Sequence, residues 1–265
     1  MKQPPRHESV EYTGWSALME LTVHFWNYNK MTVGPIVADD FGAGWLTDFR
    51  EERPVANPLK VEFQFDFGSP NAYLAEFVIP SIERRTGVKF EYVPVLLGGI
   101  YKATGNMSPS DSLRGIKNKP EYQALETQRF LRRHNIARFQ QNPFFPVNTL
   151  MLMRGAVAAQ FEGLFEPYFR AAYHHMWAEP KKMDDLDVFR QAFKSSGLDI
   201  DRLIARAQQD DVKKRLIELT NHAVARGAFG SPTFFVGDEM FFGKDQLRDV
   251  EEAIVEQKNQ LAKAG

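Results

Sequence analysis

The sequence contains no cysteine among its 265 residues. This absence excludes disulfide bonds, cysteine nucleophiles and thiolate metal ligands, and it agrees with a reducing cytoplasm. No apolar run is long enough to span a membrane, and the N-terminus lacks the basic-then-apolar order of a secretory signal. The formal net charge is −1, so the chain has no general electrostatic attraction to nucleic acid or to an anionic membrane. We therefore expect a cytoplasmic protein that binds neither.

Motifs for several other classes of site are also missing. The glycines at 98, 99 and 105 form neither a P-loop nor a dinucleotide-binding fingerprint, and Ser69 lacks the Gly-x-Ser-x-Gly elbow of serine hydrolases. The chain has six histidines, and His174 and His175 are adjacent within a predicted helix. Adjacent side chains of an α-helix point about 100 degrees apart, unlike the i,i+4 pairs that share one ion. The sequence therefore predicts no metal site.

The composition is that of a globular protein, with 43% hydrophobic and 25% charged residues. Residues 1–57 differ from the rest because their aromatic residues follow no sustained period and glycine interrupts them repeatedly. We interpret this segment as a poorly ordered or peripheral extension, which ends in an exposed linker around Pro54.

A strand followed at once by a helix is the strongest local pattern. Apolar residues alternate with polar ones over 61–67, which predicts a strand. Ser69 is then placed to cap a helix that begins at Pro70 and ends at Gly87. A helix N-terminus carries partial positive charge, so an anion or thiolate beside Ser69 would be stabilised there. Taken alone, this pattern also fits an ordinary capping serine.

The chain order predicts a parallel βαβ unit, a run of helices and a final ββα unit. A second strand is expected at 88–95, and a glycine-rich loop at 96–109. Residues 113–226 have helical periodicity, and we expect their aromatic stripe to be core rather than a cofactor pocket. That stripe consists of Phe161, Phe165, Tyr168, Phe169, Tyr173 and Trp177. Residues 228–243 predict a β-hairpin, and Asp245 is expected to cap a terminal helix.

Several motifs in this order resemble the 2-hydroxychromene-2-carboxylate isomerases and the kappa-class glutathione transferases. The matching stretches are 65–70 with Tyr73-Leu74, 98–106, Asn142-Pro143, 229–233 and 237–245. The resemblance covers residues 60 to about 260 and implies an α/β thioredoxin-like fold with an inserted all-helical domain. We expect the thioredoxin-like domain at 58–106 and 227–262, and the insertion at 107–226.

The resemblance also implies a glutathione cofactor and roles for the matching residues. Ser69 would donate a hydrogen bond to the glutathione sulfur and would be the catalytic residue. Ser231, before a proline expected to be cis, would pair its backbone with the cysteinyl amide. The glutathione-binding residues implied by the resemblance are Ser69, Lys102, Ser231, Pro232, Phe242, Gly243, Lys244 and Asp245. The implied substrate-binding residues are Asn106, Asp111, Ser112, Asn142 and Pro143.

The function implied is glutathione-dependent cis/trans isomerisation of a small unsaturated aromatic oxo-acid, by reversible thiol addition and bond rotation. One alternative is a kappa-type transferase that releases the glutathione conjugate, and another is a non-catalytic protein that binds glutathione or a partner. Disulfide exchange is excluded because Ser69 and Ala72 stand where such enzymes carry cysteines. Homodimers are common in the family, so a homodimer is expected.

Overall fold

The computed structural model describes residues 59–264, which form one mixed four-stranded sheet with helices around it. The predicted extension, residues 1–57, lies outside the described residues. Within 59–264, no helix is both long and apolar enough to cross a membrane.

The sheet has the strand order β2-β1-β3-β4. Strands β1 and β2 are parallel, with Val61 opposite Phe90, which confirms the βαβ unit. Strand β3 runs antiparallel to both β1 and β4, which confirms the C-terminal hairpin. The strands are β1 (Val61–Phe65), β2 (Phe90–Pro94), β3 (Thr233–Val236) and β4 (Glu239–Phe242).

Most of the helices lie between β2 and β3, as the helical periodicity predicted. The helices are α1 (Pro70–Glu76), α2 (Ile79–Thr86), α3 (Leu97–Thr104), α4 (Pro109–Ser112), α5 (Lys119–Arg133), α6 (Leu150–Phe161), α7 (Phe165–Tyr173), α8 (Leu186–Phe193), α9 (Ile200–Ala207), α10 (Asp210–Ala225) and α11 (Leu247–Ala264). The chain order thus agrees with a helical segment inserted into an α/β unit. The exact domain boundaries remain a prediction.

Two predictions near the N-terminal strand were wrong. The single helix expected from Pro70 to Gly87 is two helices, because Pro80 has no N–H to donate to an earlier carbonyl. The expected glycine-rich loop contains helix α3. Gly99 lies so close to α10 that a Cβ atom would come within 3.2 Å of the Thr220 side chain, so this glycine allows the two helices to pack closely.

The hydrophobic core lies between the sheet and the inserted helices. Phe65 of β1 contacts the rings of Phe169 and Tyr173 from α7 at centroid distances of 5.2 and 6.2 Å. The polar residues of β1 are buried too, and Glu62 pairs with Arg226 at 2.9 Å. Both faces of β1 are therefore covered, although its alternating sequence is that of a half-exposed strand.

Several apolar residues on the helices are exposed, although helical periodicity predicts one buried apolar face for each helix. Tyr122 and Leu125 on α5 are 55% and 54% exposed, and Phe161, at one end of the aromatic stripe, is 48% exposed. The four residues Tyr168, Phe169, Tyr173 and Trp177 of that stripe are buried, as predicted. Leu261 near the C-terminus is 37% exposed. Periodicity located these helices correctly but did not show how far each one lies from the core.

The start of the terminal helix also differs from the prediction. Residues Lys244–Gln246 form a 3₁₀ turn before α11, and Asp245 lies inside that turn instead of capping the helix. Its carboxylate oxygens lie 2.7 and 2.8 Å from Lys244 Nζ. Leu247, Val250 and Ile254 of α11 are buried.

Candidate functional site

The hydroxyl of Ser69 joins the start of α1 to the loop before β3. Its oxygen accepts a hydrogen bond from the Ala72 N–H at 3.2 Å, which confirms that Ser69 caps α1. The same hydroxyl donates to the backbone carbonyl of Ser231 at 2.8 Å. Ser69 is buried, so both of these contacts are shielded from solvent.

The loop at Ser231 has an unpaired backbone donor. The Ser231–Pro232 peptide bond is cis, and so is Phe145–Pro146. The Ser231 hydroxyl accepts a hydrogen bond from the Asp66 N–H at 3.1 Å. No acceptor among residues 59–264 pairs with the Ser231 N–H. This donor is therefore available to a ligand that lies beside the loop in an extended conformation.

Asp66 links three backbone segments close to Ser69, and it was not predicted as a site residue. Its oxygens accept hydrogen bonds from the Gly68 N–H at 2.8 Å, the Leu97 N–H at 2.7 Å and the Thr149 hydroxyl at 3.1 Å. The side chain thereby ties the end of β1 to the starts of α3 and α6. Complete burial raises the pKa of Asp66, although these three hydrogen bonds act in the opposite direction.

An acidic residue at the end of a buried strand, just before Gly-Ser-Pro, was the available signal for Asp66. Its partners lie 2, 31 and 83 residues away, so the sequence alone could not show them.

Asn106 is anchored next to the Ser231 loop. Its side-chain amide donates to the Phe229 carbonyl at 2.8 Å, and its oxygen accepts from the Met107 N–H at 2.8 Å. The ring of Phe229 contacts the ring of Phe242 at a centroid distance of 4.4 Å. Lys102 is exposed on α3, the helix that leads to Asn106. The structure therefore brings Asn106 and Phe242 beside the Ser231 loop. Lys102 lies in the last turn of α3, four residues before Asn106.

Gly243, Lys244 and Asp245 form the turn after β4. Gly243 has a φ of 97°, which favours glycine, and its N–H donates to the Pro232 carbonyl at 2.9 Å. This bond places the turn next to the cis-proline. Lys244 is buried, with Nζ 4.8 Å from the ring centre of Phe130, whereas Asp245 is exposed.

Asp111 and Ser112 lie on the short helix α4 and have local partners. Asp111 accepts a hydrogen bond from Ser108 at 2.8 Å and pairs with Arg114 at 3.1 Å. Within residues 59–264, no hydrogen bond or ion pair joins either residue to Ser69 or Ser231. Their contact with a substrate remains a prediction.

Asn142 has a structural role that the sequence did not show. It is buried, and its amide nitrogen donates to the carbonyls of Met176 and Lys181 at 3.1 and 3.2 Å. Its oxygen accepts from the Phe144 N–H at 2.9 Å. The side chain therefore holds its loop against the segment that follows α7, and we leave it out of the proposed substrate site. Pro143 beside it is exposed.

Residues 60–255 match the DSBA-like thioredoxin domain family. Over 198 residues, the chain is 29% identical to 2-hydroxychromene-2-carboxylate isomerase of Sphingobium xenophagum, covering 74% of this chain and 98% of that protein. It is 24% identical to glutathione S-transferase kappa 1 of Rattus norvegicus over 203 residues, covering 72% and 88% of the two chains.

A solved structure agrees with the sequence matches. It is a 2-hydroxychromene-2-carboxylate isomerase that superimposes with a TM-score of 0.65 and 27% sequence identity, covering 77% of this chain and 98% of its own. This similarity and the family match confirm the predicted thioredoxin-like fold with helices added to it.

Proposed function

Because this chain belongs to the DSBA-like thioredoxin domain family, we propose that it is a glutathione-dependent isomerase of the 2-hydroxychromene-2-carboxylate isomerase type. The observation that carries the proposal is the pairing of the Ser69 hydroxyl with the Ser231 carbonyl beside a free Ser231 N–H. No cysteine is present, so the disulfide chemistry of related folds has no reacting group in this chain.

The residues at the Ser231 loop fit glutathione. A peptide-like ligand needs one backbone donor and one backbone acceptor to lie beside a chain as an added strand. Ser231 has the unpaired N–H, and its carbonyl is held by the side-chain hydroxyl of Ser69, which can rotate away. Asp245 has an exposed carboxylate suited to the ammonium group of the γ-glutamyl end. Lys102 has an exposed ammonium group suited to a carboxylate.

The Ser69 hydroxyl has one proton, and two acceptors would compete for it. Without a ligand, that proton is donated to the Ser231 carbonyl. A thiolate placed beside Ser69 is a stronger acceptor because it is charged. Ser69 would then donate to the sulfur, and the Ser231 carbonyl would become free to accept the ligand's amide N–H. Ligand binding and thiolate stabilisation would thus depend on the same change of hydrogen-bond partner.

When bound, glutathione supplies a thiol that adds reversibly to a conjugated double bond, so that the bond can rotate before elimination restores it. The chain holds the thiol in its ionised form through Ser69. Lys102, in the last turn of α3, and Asn106, bound to the Phe229 carbonyl, would orient the carboxylate of a small aromatic oxo-acid. Asp66 keeps the surrounding backbone in place, since it joins β1, α3 and α6.

A kappa-type transferase is the second candidate, because glutathione S-transferase kappa 1 is among the relatives. The two activities differ in the fate of the thiol: an isomerase returns it, and a transferase consumes it in a released conjugate. Quantifying free glutathione during the reaction separates them. Binding of glutathione without turnover of any unsaturated oxo-acid would support a non-catalytic binding protein instead.

Titration of the protein with reduced glutathione in a calorimeter tests the binding step, with S-methyl glutathione as the control. We expect reduced glutathione to bind more tightly, because only the free thiol can ionise and accept a hydrogen bond from Ser69. Equal affinities for the two compounds would contradict the role of Ser69. We further propose that the protein is a cytoplasmic homodimer. Light scattering on the full chain tests the oligomeric state.

A further inference from the structure

The helix α7 continues into a π-helical turn, His174–Ala178. In this turn, the Glu179 N–H donates to the His174 carbonyl at 2.8 Å, and the Lys181 N–H donates to the His175 carbonyl at 2.9 Å. A π-helical turn has more residues per turn than an α-helix, so adjacent side chains diverge less. The α-helical geometry on which the sequence analysis based its prediction of no metal site was therefore wrong.

The wider turn brings three metal-ligating side chains together. The rings of His174 and His175 lie with their centroids 4.8 Å apart, and His174 Nε2 lies 3.3 Å from Glu179 Oε2. One potential ligand atom from each of these three residues lies within 4.8 Å of the other two. Ligand atoms about 2.1 Å from a tetrahedral ion lie roughly 3.4 Å apart. The His174–Glu179 pair already has this separation, whereas the cluster as a whole must contract to hold an ion.

His175 has a buried nitrogen with no hydrogen-bond partner. The residue is 92% shielded from solvent, and its Nδ1 atom has no partner among the described residues. A buried polar atom without a hydrogen-bond partner is uncommon in a folded protein, and a bound ion is one way to satisfy it.

We propose that His174, His175 and Glu179 form a binding site for a divalent transition metal ion of the zinc type. Two imidazoles and one carboxylate are a ligand set that suits Zn²⁺, Co²⁺ and Ni²⁺, and water would complete the coordination. The site opens to solvent on one side, because the His174 and Glu179 side chains are 33% and 64% exposed. An ion can therefore enter without unfolding the turn.

The charges around the site are compatible with this ion. The carboxylate of Glu179 supplies one negative charge. Lys181 is the nearby cation that opposes binding.

This site is separate from the proposed glutathione site. It uses none of the residues that we assign to glutathione or to the substrate, and it lies on the inserted helical segment. An ion would link the π-helical turn to Glu179 beyond it, next to the carbonyls of Met176 and Lys181 that hold Asn142. We therefore expect metal binding to raise the thermal stability of the protein, and its test does not depend on turnover.

Titration of the untagged, chelator-treated full chain with Co²⁺, followed by visible absorption, tests the proposal. We expect one equivalent to bind with the intense bands of four-coordinate cobalt, and Zn²⁺ to displace it. His174→Ala and Glu179→Gln should each weaken binding at least about tenfold, the usual order of loss for a removed ligand or its support. Zn²⁺ should raise the thermal midpoint of the unmodified protein by several degrees. It should not do so in the double variant, which carries both His174→Ala and Glu179→Gln.

A matched control removes the other four histidines, with His7, His24, His134 and His222 each changed to glutamine. This variant should keep the cobalt site, because the proposed ligands are His174, His175 and Glu179. Three results would overturn the proposal: no cobalt bound at submillimolar concentration, unchanged binding in the double variant, or loss of binding in the control. His175 is left intact in these variants because it is buried, so its replacement could unfold the turn.

Discussion

The hydroxyl of Ser69 donates a 2.8 Å hydrogen bond to the backbone carbonyl of Ser231, a residue 162 positions later in the chain. This contact joins the helix-capping serine to the cis-proline loop. Glutathione binding should exchange the contact for two others, one from Ser69 to the sulfur and one from the ligand's amide to Ser231.

Replacing Ser69 with alanine should reduce turnover more than it reduces stability. A hydrogen bond to a charged group is worth about 1.5–3 kcal/mol, so we expect turnover to fall roughly 10- to 100-fold. Loss of the α1 cap should cost about 1 kcal/mol of unfolding free energy. Steady-state kinetics and chemical denaturation measure the two effects on the same preparation.

Asp199→Ala is the matched control for Ser69→Ala. Asp199 caps α9 by accepting a hydrogen bond from the Arg202 N–H, and it makes no contact with the Ser231 loop. We expect a comparable loss of stability with turnover unchanged. If both variants lost turnover equally, the effect of Ser69 would come from capping alone.

The change of stability with pH should reveal the raised pKa of Asp66. Its pKa is raised in the folded protein, so the folded state holds the proton more tightly than the unfolded state, where the pKa is about 3.9. The stabilisation from this group is complete below that value and is lost as the pH rises through the folded pKa. The stability of the unmodified protein relative to Asp66→Asn should therefore decrease as the pH rises from about 4.

Urea denaturation of both proteins at a series of pH values measures this difference. We also expect Asp66→Asn to be less stable at every pH, because an amide cannot accept all three hydrogen bonds. A difference between the two proteins that stays constant from acid to neutral pH would show that Asp66 has an ordinary pKa in the folded state.

Replacing Asn142 with alanine should destabilise the fold without changing glutathione affinity. The substitution leaves the Met176 and Lys181 carbonyls and the Phe144 N–H without their partner. We expect the free energy of unfolding to fall by about 2–4 kcal/mol, since each buried unpaired group costs about 1–3 kcal/mol and part of the site can relax. Pro143→Ala, at the exposed neighbour, is the control. Weaker binding at unchanged stability would restore Asn142 as a ligand-contacting residue.

Replacing Asp245 with asparagine should weaken glutathione binding through the γ-glutamyl end only. The affinity for reduced glutathione should fall roughly tenfold, which corresponds to about 1.4 kcal/mol. The affinity for the dipeptide Cys-Gly, which lacks the γ-glutamyl group, should not change. Calorimetry with both ligands tests this, and Asp249→Asn on the next helical turn is the control. An equal loss for both ligands would indicate that Asp245 acts through the buried Lys244.

Local signals predicted the strands and the start of α1. Alternation found β1, and the Ser-Pro pair found the start of α1, because both patterns depend on neighbouring residues. Pro80, which divides the expected helix, is an equally local signal. Helix α3 could not be predicted in this way, since Gly98 and Gly99 disfavour a helix and the helix depends on packing against α10.

The candidate site was predictable in its members but not in its contacts. The resemblance supplied Ser69 and Ser231 separately, and only the structure shows the hydrogen bond between them. The burial of Lys244 against Phe130 depends on a contact across 114 residues. The π-helical turn at His174 has no local signal that we can name.

Turnover with catalytic glutathione tests the central claim most directly. The purified protein is mixed with a 2-hydroxychromene-2-carboxylate and with glutathione far below the substrate concentration, and both are followed by NMR. We predict many substrate molecules isomerised for each glutathione, a constant pool of free thiol, and no reaction when S-methyl glutathione replaces it. Glutathione consumed in proportion to product, or isomerisation that proceeds without the thiol, would contradict the account.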